Sequence, residues 1–319
     1  MNMADQLARL KVKDVFNDSA KRQFLYVYPN TKLLEVVTFL AIGPEIYVDG
    51  VVVVTEENLN GKKIQIPVGM IGGKNVMRNM LESMFGWKED FFGEVTASEI
   101  MVEITQSNLV DLESPLSKVI DAFRRTRFAF VSVISTTKEY NTNKPIIIGT
   151  LTIRDFLPLI ANKIIQLNHD EPEGIIYQIA SPTVSVNKDS SIREAIKVMV
   201  DKGIRNIGIR DCDQDYEKEE HNEKRNVKEK SSDTVCIVND RKIMEFLLSR
   251  KRREESNPIF GSVSDLDIIQ VHATKSHITL VEAARYLMDI KNPFMVLDGN
   301  EYIVTPWDLV MKAAGEGDL

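Results

Sequence analysis

The sequence predicts an α/β protein in which one structural unit occurs four times and the four units form two similar domains. Three observations lead to this prediction: an apolar helix pattern recurs four times, a hydroxyl residue precedes each copy, and a Phe-Gly motif precedes the second and fourth copies. The length of 319 residues also favours two domains, at about 150 residues per domain.

The repeated helix is recognised by apolar residues at positions i, i+3, i+4 and i+7, which form one face of an α-helix. The four faces are Leu33, Val36, Val37 and Leu40; Leu116, Val119, Ile120 and Phe123; Ile192, Ala195, Ile196 and Met199; and Leu280, Ala283, Ala284 and Leu287. The hydroxyl residues before them are Thr31, Ser114, Ser190 with Ser191, and Thr279. Ser191 with Glu194 and Thr279 with Glu282 have the spacing of a capping box, which predicts helix starts there.

Strands are predicted on both sides of each repeated helix. The β-rich segments before the helices are LYVYP, NLVDLE, TVSVNK and IIQVHA, and those after them are EIYV, FAFVSVI, RNIGI and PFMVL. In the fourth copy Asp298-Gly299-Asn300 predicts a tight turn into a third strand, EYIV. A closing helix starts within GMIGGKNVM at Gly69, GTLTIRDFL at Gly149, CIVNDRKIM at Cys236 and YIVTPWDLV at Tyr302. Each unit is therefore predicted to run strand, helix, strand, strand, helix.

The units group into two pairs, because Phe92-Gly93 precedes the second unit as Phe260-Gly261 precedes the fourth. The polar stretch from residue 169 to residue 174 is the predicted boundary between the pairs. The predicted domains are residues 1–168 and residues 169–319, and the second carries a charged loop at residues 210–233.

This pattern resembles the cystathionine-β-synthase (CBS) domain family, whose motifs occur in tandem pairs that pack as Bateman modules. The segments GTLTIRD, from Gly149 to Asp155, and IVTPWD, from Ile303 to Asp308, are similar to the family's Gly-x-x-Thr-x-x-Asp segment. The resemblance covers nearly the whole chain and implies two tandem CBS-domain pairs.

Two of the four units depart from the family's motif. The first has Gly72 and Asn75 at the threonine and aspartate positions, and the third has Asn239 and Lys242. Cys236 and Tyr302 replace the glycine that begins the motif in the third and fourth units. We therefore expect the strongest candidate sites in the second and fourth units.

The resemblance implies a ligand that contains adenosine, such as AMP, ADP, ATP or S-adenosylmethionine, in a cleft between paired units. The candidate ligand residues are Thr152, Arg154, Asp155, Arg205, Thr305 and Asp308. A carboxylate at a helix start stays ionised and can accept both hydrogen bonds of a ribose diol. Threonine hydroxyls and free N–H groups at the same turn suit phosphate oxygens, and arginines can pair with phosphate from either side of a cleft. Thr-x-x-Asp is equally a helix cap, so capping is the alternative role for these residues.

Composition excludes several other classes of protein. With 40 Lys and Arg against 47 Asp and Glu the formal net charge is −7, which argues against a general nucleic-acid binder. No apolar run approaches the roughly 18 to 20 residues of a membrane span, and the charged first residues do not resemble a secretory signal. Two cysteines, Cys212 and Cys236, provide too few sulfurs for a disulfide staple or a four-ligand metal site, and a reducing cytoplasm fits best.

We expect a stand-alone regulatory protein that senses an adenine nucleotide and modulates a partner, and the resemblance implies a homodimer. The alternative is a structural or DNA-associated scaffold with degenerate, unoccupied clefts. An enzyme is not expected, because neither a Gly-x-x-x-x-Gly-Lys-Ser/Thr loop nor a His-Glu-x-x-His motif occurs.

Overall fold

A computed structural model describes most of the chain. The described residues are 3–19, 24–42, 49–83, 91–135, 144–165, 175–210, 212, 234–251, 260–274, 277–288, 294–297 and 301–312. Four sequence predictions fall wholly or largely outside them: the strand EIYV, the boundary at residues 169–174, the turn at residues 298–300 and most of the loop at residues 210–233.

The four repeated helices form where the apolar pattern predicts them, as α3, α7, α10 and α12. In chain order the α-helices are α1 (Met3–Arg9), α2 (Val12–Ser19), α3 (Leu33–Ile42), α4 (Gly73–Ser83), α5 (Phe91–Glu94), α6 (Ala97–Ile100), α7 (Leu116–Thr126), α8 (Leu157–Ala161), α9 (Ile175–Ile179), α10 (Ile192–Lys202), α11 (Asp240–Lys251) and α12 (Leu280–Leu287). Both predicted caps are confirmed: Ser191 Oγ accepts a hydrogen bond from Glu194 N, and Thr279 makes a capping box with Glu282. The sequence rule for helix starts therefore holds in both halves of the chain.

A closing helix follows in every unit, although its form varies. The first and third units close with α4 and α11, and the second with a 3₁₀ turn, Ile153–Phe156, that continues into α8. In the fourth unit the closing helix is wound as a π-helix over Asp308–Lys312. The units are therefore confirmed as copies of one α/β plan with local differences in winding.

The strands form four small sheets. In chain order they are β1 (Tyr26–Val27), β2 (Val51–Leu59), β3 (Lys62–Ile71), β4 (Val102–Glu103), β5 (Leu109–Asp111), β6 (Phe130–Ser135), β7 (Ile146–Thr152), β8 (Ser181–Pro182), β9 (Ser185–Asn187), β10 (Asn206–Arg210), β11 (Thr234–Asn239), β12 (Ile269–His272), β13 (Met295–Val296) and β14 (Tyr302–Val304). The sheet orders are β1-β2-β3-β4, β5-β6-β7, β12-β11-β10-β9 and β13-β14-β8. In the first three sheets the opening strand of a unit runs parallel to the strand after the helix, and the hairpin strands are antiparallel.

Paired units exchange short strands. β4, which leads into the second unit, extends the sheet of the first, and β8, which leads into the third, extends the sheet of the fourth. The prediction that IIQVHA forms a strand is confirmed by β12, which pairs with β11 of the third unit and not with a strand of the fourth. Among the described residues, the fourth unit has only an isolated bridge, between Thr274 and Leu297, where the other units have an opening strand. The segment's alternating apolar residues predict a strand but carry no information about which sheet edge it meets.

Four apolar clusters connect the units in a ring. Sheet faces join the first unit to the second through Val52 and Phe130, and the third to the fourth through Ile237 and Phe294. The helices make the other two junctions. One helical core joins the first and third units, and the other joins the second and fourth and also contains residues of α1 and α2. Each helical core is thus shared between the two halves of the chain.

The expectation that the cysteines form no staple is wrong. Cys212, just after β10, forms a disulfide with Cys236 of β11. The antiparallel register pairs Ile209 with Cys236, so the strand ends bring the two sulfurs together although 24 residues separate them. Within the described residues no helix is long and apolar enough to cross a membrane.

Candidate functional site

Every closing helix begins with a turn whose first and fourth residues are joined by a hydrogen bond. The pairs are Gly72 with Asn75, Thr152 with Asp155, Asn239 with Lys242, and Thr305 with Asp308. In the first, second and fourth units the side chain of the fourth residue accepts from the N–H of the first. In the third unit the direction is reversed, because Lys242 N donates to Asn239 Oδ1.

The turn of the second unit buries both of its motif residues. Asp155 Oδ2 accepts hydrogen bonds from Thr152 N at 2.6 Å and from Thr152 Oγ1 at 3.1 Å. Thr152 and Asp155 are both buried. The aspartate thus caps the helix start, and its carboxylate lies in the first turn, where the helix dipole favours a negative charge.

The turn of the fourth unit has a further partner. Asp308 Oδ2 accepts from Thr305 N at 2.9 Å and from Thr305 Oγ1 at 2.6 Å. Its other oxygen, Oδ1, accepts from Ser181 Oγ at 2.6 Å, and Lys312 Nζ lies 3.9 Å away. Both carboxylate oxygens of Asp308 are therefore engaged within the protein.

Three arginines from the second and third units converge on one buried carboxylate of the first, Asp49. Arg241 Nη2 donates to Asp49 Oδ1 at 3.0 Å and Arg154 Nη2 donates at 3.3 Å. Arg205 Nη1 lies 3.6 Å from the same oxygen, and Arg205 Nε donates to Asp240 Oδ2 at 2.7 Å. The structure thus brings the two predicted arginines together, one turn from Thr152 and Asp155.

This arginine cluster, which consists of Asp49, Arg154, Arg205, Asp240 and Arg241, has three guanidinium groups and two carboxylates, so its formal charge is +1. Asp49 Oδ2 and Arg154 Nη1 are buried and have no hydrogen-bond partner among the described residues. A buried charged group usually has all its hydrogen bonds satisfied, so these two atoms mark unused binding capacity.

The pKa values in the cluster follow from burial and from the neighbouring charges. Burial alone would raise the pKa of Asp49, but Arg154, Arg241 and Arg205 together hold it below its ordinary value of 3.8. Burial, followed by repulsion from Arg205, lowers the pKa of Arg241 to about 10. Burial also opposes the charge on Arg205, but Asp240 and Asp49 raise its pKa above the ordinary value. Asp49, Arg205 and Arg241 are therefore charged at neutral pH.

Comparison with solved structures identifies the fold. Protein MJ1225 of Methanocaldococcus jannaschii, described as a candidate archaeal homologue of g-AMPK, matches with a TM-score of 0.66 and 17% identity over 95% of this chain and 99% of its own. The fold is that of the CBS-domain proteins. The CBS domain protein PAE2072 of Pyrobaculum aerophilum, solved with AMP, matches 46% of this chain and 90% of its own, with 19% identity and a TM-score of 0.33. No family model matches the sequence. A search of curated proteins likewise finds no match.

The four units differ at the residue that begins the motif, and in three of them a side chain from elsewhere in the fold packs on this position. Gly69 lies under the side chain of Met101, whose sulfur a Cβ at residue 69 would overlap. Gly149 lies under the ring of Phe16, since a Cβ there would stand 2.7 Å from Phe16 Cζ. Tyr302 stacks edge-on against Tyr177, with 5.6 Å between ring centroids. In the third CBS unit this residue is Cys236, which the disulfide engages.

Sequence reasoning missed Asp49, Asp240 and Arg241. Alignment of the CBS units could have found Arg241, because it occupies in CIVNDRK the position that Arg154 occupies in GTLTIRD, as Lys74 does in the first unit. No repeated motif position identifies Asp49 in the sequence. Its role depends on where the second and third units place their arginines, which the local sequence does not encode.

The described residues include no group of three or more His, Cys, Asp and Glu side chains that could hold a metal ion. The polar chemistry of the arginine cluster suits an anion, because guanidinium groups bind phosphate and carboxylate by paired hydrogen bonds. Arg154 of the second unit connects this cluster with the Thr152–Asp155 turn.

Proposed function

We propose that this chain is a regulatory protein whose CBS units bind an adenine nucleotide and whose ligand occupancy modulates a partner protein. The two pairs, residues 1–168 and 169–319, act as Bateman modules, and the protein acts without catalysing a reaction. A homodimer and a cytoplasmic location complete the proposal. The disulfide is the one observation against the cytoplasm, since disulfides are rare in reducing compartments.

The arginine cluster beside the Thr152–Asp155 turn carries the proposal. A nucleotide needs a group for its ribose hydroxyls and cations for its phosphate, and the second unit offers Asp155 and Arg154 within two residues. Arg205 reaches the same place from the third unit. The formal charge of +1 and the unpaired Arg154 Nη1 both favour an incoming phosphate.

Ligand screening by thermal shift tests the proposal directly. Any ligand of the native state raises the melting temperature, so AMP, ADP, ATP, S-adenosylmethionine, NAD and GTP are compared at equal concentration. We expect a shift with at least one adenosine compound and a smaller shift with GTP. The absence of any shift, together with no heat of binding in calorimetry, would overturn the proposal.

Point variants then separate ligand binding from capping. Asp155→Asn keeps a side chain that suits a helix start but removes the charge that a ribose diol would use. A hydrogen bond to a charged group contributes about 1.5 to 3 kcal/mol, so the dissociation constant should rise roughly tenfold to a hundredfold. Asp308→Asn tests the fourth unit in the same way. Lys242→Ala is the matched control, because Lys242 holds the same position in the third unit and contacts Glu245 and Asp267 instead.

The alternative function, a structural or DNA-associated scaffold with unoccupied clefts, is favoured by one observation. Both oxygens of Asp308 are already engaged by Thr305 and Ser181, which is what a purely structural motif requires. Unchanged affinity in the double variant of Asp155 and Asp308 would assign both residues to capping.

A further inference from the structure

Three of the four units lack one of the features that a nucleotide cleft needs. The third and fourth units carry a side chain at the first position of the motif, where Cys236 forms the disulfide and Tyr302 packs on Tyr177. The first unit has a glycine there, Gly69, but its turn carries Gly72 and Asn75 in place of threonine and aspartate.

The second unit alone combines the glycine with the Thr-x-x-Asp turn. Gly149 lies on β7 three residues before Thr152, and Arg154 and Asp155 follow on the next turn. One continuous segment therefore offers a strand position without a side chain, a cation and a carboxylate. These are groups that suit the base, the phosphate and the ribose of a nucleotide.

The aromatic ring of Phe16 already covers the strand at Gly149. Phe16 of α2 packs on Gly149, and its Cζ and Cε2 atoms would lie 2.7 and 2.8 Å from a Cβ at that residue. The ring is buried, with 6% of Phe16 exposed. The space over Gly149 thus has the shape of a flat aromatic group and an apolar environment that suits a purine.

The helix α2 is held by backbone hydrogen bonds at its start and by apolar packing along its length. The backbone hydrogen bonds run from Val12 N to Ser114 O and from Lys13 N to Leu112 O. Lys11 and Lys13 add ion pairs with Glu113, and all three side chains are largely exposed. Exposed ion pairs contribute little, so the hold on the helix depends mainly on the buried packing of side chains such as Phe16 itself.

We propose that the second unit holds the nucleotide site of this chain and that the Phe16 ring takes the place of the base until a ligand displaces it. The proposal rests on the proposed function and adds the location, the number of sites and the competing group. A ligand that must displace the ring binds more weakly than one that meets an open cleft, because only the open population is competent.

Calorimetric titration of the full chain with AMP and with ATP tests the competition. Phe16→Ala should bind whichever nucleotide the wild type binds about tenfold more tightly, as expected when a mostly closed state is removed. Phe16→Leu, which keeps more of the packing, should fall between the two proteins. Met101→Ala is the matched control, because it uncovers Gly69 in the unit that lacks the turn residues, and it should leave affinity unchanged.

A variant that fills the space over Gly149 with another side chain provides the second test. In the double variant Phe16→Ala with Gly149→Val, the valine occupies the volume that the ring has left, so the fold is kept while the base is excluded. We expect one ligand per chain in the wild type and no binding in the double variant. Circular dichroism and the melting temperature verify that the double variant is folded.

The outcomes distinguish this inference from the proposed function. Binding by the wild type with no gain in Phe16→Ala and Phe16→Leu, or binding that survives in the double variant Phe16→Ala with Gly149→Val, would overturn the inference alone. Failure of the wild type and of both Phe16 variants to bind any nucleotide would overturn the proposed function as well.

Discussion

Asp49 and Arg154 form a buried ion pair of 3.3 Å between residues that are 105 positions apart in the chain. The same carboxylate oxygen accepts a hydrogen bond from Arg241, which lies a further unit along the chain. One aspartate of the first unit is thus the counter-ion for arginines of the second and third. The charge that would attract a phosphate is held in place by a side chain of the protein itself.

Removal of this carboxylate should destabilise the fold strongly. Asp49→Ala leaves three guanidinium groups close together in a buried site, and breaking a buried ion pair costs about 3 to 5 kcal/mol. Urea denaturation at pH 7 measures the loss. Glu113→Gln is the control, because Glu113 pairs with Lys11 and Lys13 at the surface and its loss should leave the urea midpoint almost unchanged. Equal midpoints for the two variants would show that the cluster is not structural.

The stability that Asp49 provides should depend on pH in a defined direction. Its pKa is lowered in the folded state from 3.8, so its contribution is fully present above pH 3.8 and is lost as the pH falls through the folded value. We expect the difference in unfolding free energy between wild type and Asp49→Asn to be constant from pH 7 to about pH 5 and to shrink below about pH 4. Urea titrations at pH 7, 5, 4 and 3 measure it. A difference that grows on acidification would contradict the assigned charge state.

The repeated helices were predictable because their apolar faces and caps are local signals. The periodicity of Leu116 to Phe123 and the box of Thr279 with Glu282 need no information beyond about two turns of helix. The Thr152–Asp155 turn was predictable for the same reason.

The ring of units, the exchange of strands and the arginine cluster could not be predicted in this way. β12 pairs with the third unit and Asp49 meets Arg241 across 192 residues, and both contacts depend on how whole units pack. The prediction that the cysteines form no disulfide was wrong for a related reason. The number of cysteines was known, but the register that brings Cys212 beside Cys236 is a property of the folded hairpin.

Substitution of Gly73, which lies at the junction of the first and third units, should destabilise the fold. A Cβ at Gly73, the first residue of α4, would overlap the Asp240 carboxylate at the start of α11. Alanine in a helix is ordinarily more stable than glycine by about 0.5 to 1 kcal/mol. Here the sign should reverse, and Gly73→Ala should destabilise by about 1 to 3 kcal/mol through overpacking.

The neighbouring glycine provides the control for Gly73. A Cβ at Gly72 would meet Phe128 at an ordinary contact distance of 3.4 Å, so Gly72→Ala should cost less than Gly73→Ala. Urea denaturation of the two variants gives the comparison. A stabilising Gly73→Ala would mean that the two helix starts are farther apart than described.

Reduction of the disulfide should lower the free energy of unfolding but leave the four units folded and packed together. The bond between Cys212 and Cys236 closes a loop of 24 residues, and a cross-link of this kind typically contributes about 2 to 4 kcal/mol, mainly by restricting the unfolded chain. Dithiothreitol should therefore lower the urea midpoint of the wild type towards that of Cys212→Ser, and should leave the midpoint of Cys212→Ser itself unchanged. Mass spectrometry of alkylated protein, purified under conditions that trap free thiols, reports whether the bond exists in the cell. Cys236 packs in the core of the first and third units. If alkylation shows that the thiols are free and reductant leaves the urea midpoint of the wild type unchanged, core packing alone holds the hairpin.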